Sequence, residues 1–222
     1  MGDWEPLTRA FYEPSAAIVA PRLLGHWLIC NTESGPIGGP IVETEAYLRG
    51  DAACHAARGL TPRNAIMFGP AGHAYVYFIY GCHYCMNAVC LPSGAAEAVL
   101  IRAIEPAFGL DQMRRARGAQ PDLNLTSGPG KLCRALNITR QQNGADLCDA
   151  GSPVFIAQNP KRDQFRKSHG GVKISERIGI TQAATLPLRF FLESNPHISK
   201  GARRFGARMA KGDLPLTRLL CP

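Results

Sequence analysis

The chain has 222 residues, 45% of them hydrophobic, and carries 25 Lys and Arg against 17 Asp and Glu for a formal charge of +8. That is enough apolar material for one large domain with its own core, which excludes a small fold dependent on disulfide or metal staples. No apolar run is long enough to span a bilayer, and the excess positive charge suits a polyanionic partner, nucleic acid or an anionic surface.

Met1 to Glu13 is mixed polar without an apolar h-region, so the eight cysteines are expected as reduced thiols of an intracellular protein. Pro14 to Leu24 reads as a short helix stopped by Gly25. His26 to Cys30 reads as a strand, Gly35 to Pro40 as a turn, and Ile41 to Leu48 as the returning arm of a hairpin. Arg49 to Gly72 lacks periodicity and reads as a long loop, a class that is usually functional or disordered. Ala74 to Tyr80 is the clearest strand, broken by Gly81. Tyr84 to Leu91 and Ala98 to Ile104 follow as strands. Pro106 to Arg117 and Gly128 to Leu136 read as helices, the second opened by Ser127, and Val154 to Gln158 and Leu188 to Glu193 as late strands. The fold class is α+β: a single compact domain in which a curved antiparallel sheet is flanked by helices. The domain is expected to span 1–199. Residues 200–222 form a basic tail, either a flexible arm or a solvated end without a role.

Five features invite chemistry. In Ile41-Val42-Glu43-Thr44-Glu45-Ala46-Tyr47, strand alternation puts Glu43, Glu45 and Tyr47 on one face. Pattern alone favours a solvated surface; the alternative is the floor of a polar pocket. Tyr75, Tyr77, Phe78 and Tyr80 either pack a core or stack against bases, and Tyr80, at the strand end, is placed to project as a wedge. Asn87 and Arg102 stand in strongly apolar strands. A buried Arg102 needs a carboxylate, which Glu43 or Glu45 can supply, and a structural ion pair is the plain reading. Cys82-His83-Tyr84-Cys85 has CxxC spacing but no second pair, so no metal is expected. Ser127-Gly128-Pro129-Gly130-Lys131 combines helix-start amides with a lysine and could hold a phosphate, although the glycine spacing is not that of a P-loop.

Together these segments resemble the alkyladenine (3-methyladenine) DNA glycosylase family. The strings that carry the resemblance are IVETEAY (41–47), AACHAARG (52–59), TPRNAIMF (61–68), YVYFIYG (75–81), YCMNAV (84–89), VLIRAIEP (99–106), GLDQMR (109–114) and SGPGKLC (127–133), in order from about Phe11 to Asn195. The resemblance implies a monofunctional hydrolase, without cofactor or metal, that flips alkylated or deaminated purines out of double-stranded DNA. It implies Glu45 as the general base, chosen over Glu43, with Arg102 holding it and the water. It implies Tyr47, His55 and Tyr77 around the base, Asn87 screening against guanine, and Tyr80 in the vacated stack. Arg63 and Lys131 are the expected DNA-backbone contacts. The protein is expected to be a monomer in the compartment that holds DNA, with no membrane partner. Cys82 and His83 depart from the family pattern beside the wedge. Three other readings compete: a non-catalytic nucleic-acid-binding module on the same fold, an RNA-directed enzyme, and a zinc-binding regulator.

Overall fold

One long strand, β2 (Ile37–Tyr47), organises the molecule, because its two halves have different neighbours along one edge. In this computed structural model, which describes residues 4–199, its first half pairs with β1 (Trp27–Cys30) and its second with β8 (Arg189–Leu192). Its other edge is covered by β5 (Glu97–Ile104), followed by β4 (His83–Cys90) and β3 (Ala74–Ile79). The sheet is completed by β6 (Val154–Ala157) on β1 and β7 (Val172–Ser175) on β8. Every pairing is antiparallel, giving one curled sheet in a single domain. The helices are α1 (Arg9–Tyr12), α2 (Ala16–Leu23), α3 (Leu110–Arg117), α4 (Pro129–Ala135) and α5 (Arg162–Ser168). The α+β expectation holds. The basic tail, 200–222, lies outside the described residues.

The hairpin differs from the expectation that Gly35 to Pro40 form its turn. Gly38, Gly39 and Pro40 are inside β2, paired to β1. The reason is close backbone packing. A Cβ on Gly38 would stand 2.0 Å from the Leu28 carbonyl oxygen, and one on Gly39 would stand 1.8 Å from that of Glu105. Here glycine marks close approach of chains rather than a turn. Residues outside the predicted elements form α1, α5 and β7. These are four to seven residues long, too short to display a periodicity.

Alternation divides the sheet into two chemistries. Val42, Ala46, Val76, Met86, Ala88, Val99, Ile101 and Ala103 belong to the main core with α2 and α4. The larger of these, Val, Ile and Met, each contribute on the order of 1.5–3 kcal/mol by burial. Thr44 shares that face, and its hydroxyl donates to the Ala20 carbonyl at 3.0 Å. The start of α2 is fastened by a distant carboxylate: Ser15 Oγ and the Ala16 amide both donate to Glu97 Oε2, at 2.7 and 2.8 Å. Tyr75, Val89 and Ala98 turn to the opposite face, where Cys54 and Met67 of the long loop cover them and Tyr47 and Tyr77 pack alongside.

Candidate active site

The face opposite the main core carries the polar residues that the sequence singled out. Pairing between β2 and β5 slips twice, so Glu43 stands opposite Ala103 while Thr44 stands opposite Ile101. Arg102 is left between paired positions, and the bulge aims it back at β2. Its Nε donates to Glu43 Oε1 at 2.9 Å, and its Nη1 forms an ion pair with Glu45 Oε1 at 3.1 Å. Both carboxylates that the sequence pattern favours as surface groups are fully buried. The physical reason is that alternation specifies a face but not what covers it.

The two glutamates have different surroundings. Glu43 is saturated. It accepts from Arg102, from Arg189 Nε at 2.7 Å, and from the Ser199 amide and hydroxyl at 2.6–2.7 Å. Burial pushes its pKa up, but Arg102, Arg189 and Ser199 together outweigh that and hold it below the usual carboxylate range. Arg102 is likewise a fixed cation. Burial disfavours its charge, and Glu45 and Glu43 more than compensate. Glu45 meets groups of the cleft instead. Its Oε1 accepts the Ile178 amide at 2.7 Å, and its Oε2 accepts the Tyr47 hydroxyl at 3.0 Å.

Above Glu45 opens a cavity of about 270 Å³ lined by Tyr47, His55, Tyr75, Tyr77, Asn87, Arg102, Pro129 and the 178–180 segment. This is near the lower end for ligand clefts, about 300–1,000 Å³, and suits one aromatic ring system. Neither glutamate lines it. Glu45 lies directly beneath the lining residues Tyr47, Arg102 and Ile178.

The walls are aromatic. His55 and Tyr77 have ring centroids 4.4 Å apart, and His55 Nδ1 is 2.9 Å from the Tyr75 hydroxyl. His55 as a whole residue is exposed, but its ring packs against these tyrosines and is partly desolvated. That desolvation lowers its pKa, Arg63 lowers it further, and the ring is neutral near pH 7. Burial raises the phenols of Tyr47 and Tyr77 and pushes Tyr75 up to about 12, so all three stay protonated. The loop from Arg49 to Gly72, expected to lack regular structure, contains a 3₁₀ turn at Ala65–Phe68. Buried Asn64 braces it by donating to the His55 and Gly59 carbonyls, both at 2.9 Å.

Asn87, between Tyr75 and Leu100 in the sheet, donates to the Tyr75 carbonyl at 3.1 Å and lines the cleft floor. Tyr80 forms the β3–β4 turn with Gly81; it is 76% exposed with φ of 54°. A non-glycine residue in the left-handed region costs roughly 1–2 kcal/mol. The exposed Arg63 lies over the Tyr77 ring at 5.8 Å. Lys131, on α4, donates to Ser127 Oγ at 3.4 Å. Ser127 itself does not cap that helix: Gly128 holds the cap position with φ of 137°, a conformation open to glycine. The described cysteines are free thiols.

The structure thus brings Tyr47, His55, Tyr77, Asn87 and Arg102 to one cleft, with Tyr80 at its rim and Glu45 bonded to Tyr47 beneath it; Arg63 and Lys131 do not line it. Sequence reasoning passed over Arg177, Ile178, Asp51 and Arg189. Arg189, inside the apolar run Leu188 to Leu192, carries the same signal as Arg102: a cation in a buried strand. The others lie in segments without periodicity.

The chain is similar to known proteins over most of its length. Residues 10–196 match the profile of the methylpurine-DNA glycosylase family. A protein of Methanoculleus marisnigri is 50% identical over 194 residues, covering 87% of this chain and 98% of its own. One from Carboxydothermus hydrogenoformans is 45% identical over 195 residues, with 87% and 98% coverage. One from Nitrobacter winogradskyi is 46% identical over 202 residues, 91% of each chain. Each bears the provisional name of a 3-methyladenine DNA glycosylase.

Proposed function

Because the chain belongs to the methylpurine-DNA glycosylase family and is therefore a DNA glycosylase, we propose that it excises 3-methyladenine and 7-methylguanine from double-stranded DNA with water activated by Glu45. Ethenoadenine and hypoxanthine are further candidate substrates. The observation that carries this reading is the position of Glu45 beneath an aromatic cleft of single-base size, held by Arg102 and the Ile178 amide.

A base within the duplex hides its glycosidic bond, so the nucleotide is unstacked and turned outward at a cost of a few kcal/mol. Tyr80 enters the vacated stack and offsets that cost. Arg63 and Lys131 contact the DNA backbone, in keeping with the chain's charge of +8. The extruded purine sits between Tyr47 on one side and His55 and Tyr77 on the other. Alkylation at N3 or N7 makes the purine cationic, and a desolvated cation against such rings gains on the order of 1–2 kcal/mol. Asn87 stands where the exocyclic amino group of guanine would press.

Glu45 Oε2 accepts one hydrogen bond, from Tyr47, and keeps a lone pair for water. The water oxygen adds to C1′, the bond from C1′ to the purine nitrogen breaks with its electron pair leaving on the base, and the water proton passes to Glu45. The carboxylate also faces the positive charge that develops on the sugar. A cationic purine leaves as a neutral molecule, so one carboxylate suffices where ordinary glycosidases use two. For hypoxanthine, the neutral His55 is the group that can hydrogen-bond the purine edge. Among the described residues of the cleft there is no lysine, so the product is an abasic site without a Schiff-base strand cut. The protein acts as a monomer, inside the cell.

The test is a panel of duplexes, each with a single lesion, under single-turnover conditions. Release of the damaged base and an alkali-labile site are expected, with no borohydride-trapped adduct. A covalent adduct, or intact lesions throughout, would overturn the reading.

A further inference from the structure

Directly behind the Tyr47 wall lies a buried ion pair that the proposed chemistry does not use. The Arg177 and Asp51 side chains are 0% and 2% exposed. Arg177 Nη1 donates to Asp51 Oδ2 and, at 3.0 Å, to the Ala46 carbonyl. Its Nη2 donates to Asp51 Oδ1 at 3.1 Å and to the Ala183 carbonyl at 3.2 Å. The guanidinium lies over the Tyr47 ring, with Cζ 4.7 Å from the centroid. The next amide in the chain, that of Ile178, is the one bonded to Glu45.

Burying such a pair adds little net stability, because desolvation cancels most of the Coulomb gain. What it does supply is orientation. The fork ties the segment after β7 to the end of β2 and to the turn at Asp51. One planar group thereby fixes two parts of the site at once, the ring of Tyr47 and the amide on Glu45. A lysine cannot do this, since it lacks both the fork and the stacking plane.

We infer that Arg177 is a positioning residue of the excision reaction, acting through the Tyr47 ring over which it lies. The inference rests on the proposed role of that cleft. Misplacing a reacting group by about 1 Å can cost on the order of 10²-fold in rate. Arg177→Met is therefore expected to lower the single-turnover rate constant on the lesion duplex that the wild type excises fastest. Duplex affinity should stay within a few-fold, because the backbone contacts lie elsewhere.

The measurement compares wild type, Arg177→Met, Tyr47→Leu and the double variant, each with its thermal midpoint. If Arg177 acts through Tyr47, its removal costs clearly less in rate once Tyr47 is gone, by a margin larger than any change in its effect on the midpoint. Equal fold-losses in both backgrounds, or full excision by a folded Arg177→Met, overturn the assignment. Should Arg177→Met fail to fold, Arg177→Lys and Asp51→Asn carry the same comparison. Arg177→Lys is expected to recover the midpoint more than the rate. A wild type that leaves every lesion in place overturns the reading of the cleft itself; a wild type that excises beside an unimpaired Arg177→Met overturns only this inference.

Discussion

Glu43 and Glu45 stand two residues apart on one strand and share Arg102, yet their remaining partners divide them. Glu43 is enclosed by Arg189 and Ser199, whereas Glu45 bonds Tyr47 and Ile178, both of which line the cleft. A saturated carboxylate between two guanidiniums has no lone pair to offer water. One that bonds cleft residues can reach a substrate.

This division yields opposite outcomes for the two glutamine variants. Glu45→Gln is expected to keep the fold and duplex binding while single-turnover excision falls about 10²–10⁴-fold, the usual worth of a general base. Glu43→Gln leaves Arg102 and Arg189 short of a buried counter-charge and should cost about 3–5 kcal/mol of stability. Its folded fraction should still excise. Thermal melts run beside the kinetics decide the matter; a stable Glu43→Gln without activity beside an active Glu45→Gln would move the role of base to Glu43.

Tyr80 holds a left-handed backbone and is largely exposed, so its side chain contributes little to folding. Tyr80→Gly should therefore leave stability unchanged or raise it by roughly 1 kcal/mol. Excision from a lesion duplex should fall, and the deficit should narrow on a single-stranded substrate, where no stack needs filling. Equal losses on both substrates would remove Tyr80 from the wedge role.

His26 provides a pH dependence away from the cleft. Burial, aided by Arg162 and Arg166, lowers its pKa from the ordinary 6.5 to about 4. Between those values the unfolded chain binds a proton that the folded one does not. Stability is therefore full above about pH 6.5 and falls as the pH drops toward 4, by up to about 3 kcal/mol. Melting midpoints across that window should fall for the wild type and fall less for His26→Gln. Parallel curves would show that His26 is not the group responsible.

Gly39 tests the close approach inside β2. An alanine Cβ there would meet only backbone: the Glu105 carbonyl oxygen at 1.8 Å, its carbon at 2.9 Å and the Ala107 nitrogen at 3.1 Å. Backbone paired within a sheet cannot give way cheaply. Gly39→Ala should cost more than about 4 kcal/mol, in the range reserved for severe substitutions. Gly69→Ala, whose nearest atom would be 3.3 Å away, is expected to be mild. Equal melting midpoints for the two would contradict the packing described.

Much of the sheet was legible from residue order. Strand alternation in 41–47, 74–79, 84–90 and 98–104 identifies which side chains share a face, because the period of a strand is local geometry. Arg102 also announced its need for a carboxylate, since a cation in an apolar strand has few other solutions, and the motif strings pointed to the family. Sequence alone did not say that the Glu43, Glu45 and Tyr47 face is covered. Its cover comes from residues far along the chain, with Ser199 on Glu43 and Ile178 on Glu45. Nor did it separate Glu43 from Glu45 by any physical signal. That difference is made by Arg189 and Ser199 on one side and by the Arg177 segment on the other. Periodicity acts over a few residues, whereas these contacts join positions about a hundred or more residues apart, so only the tertiary structure could decide them.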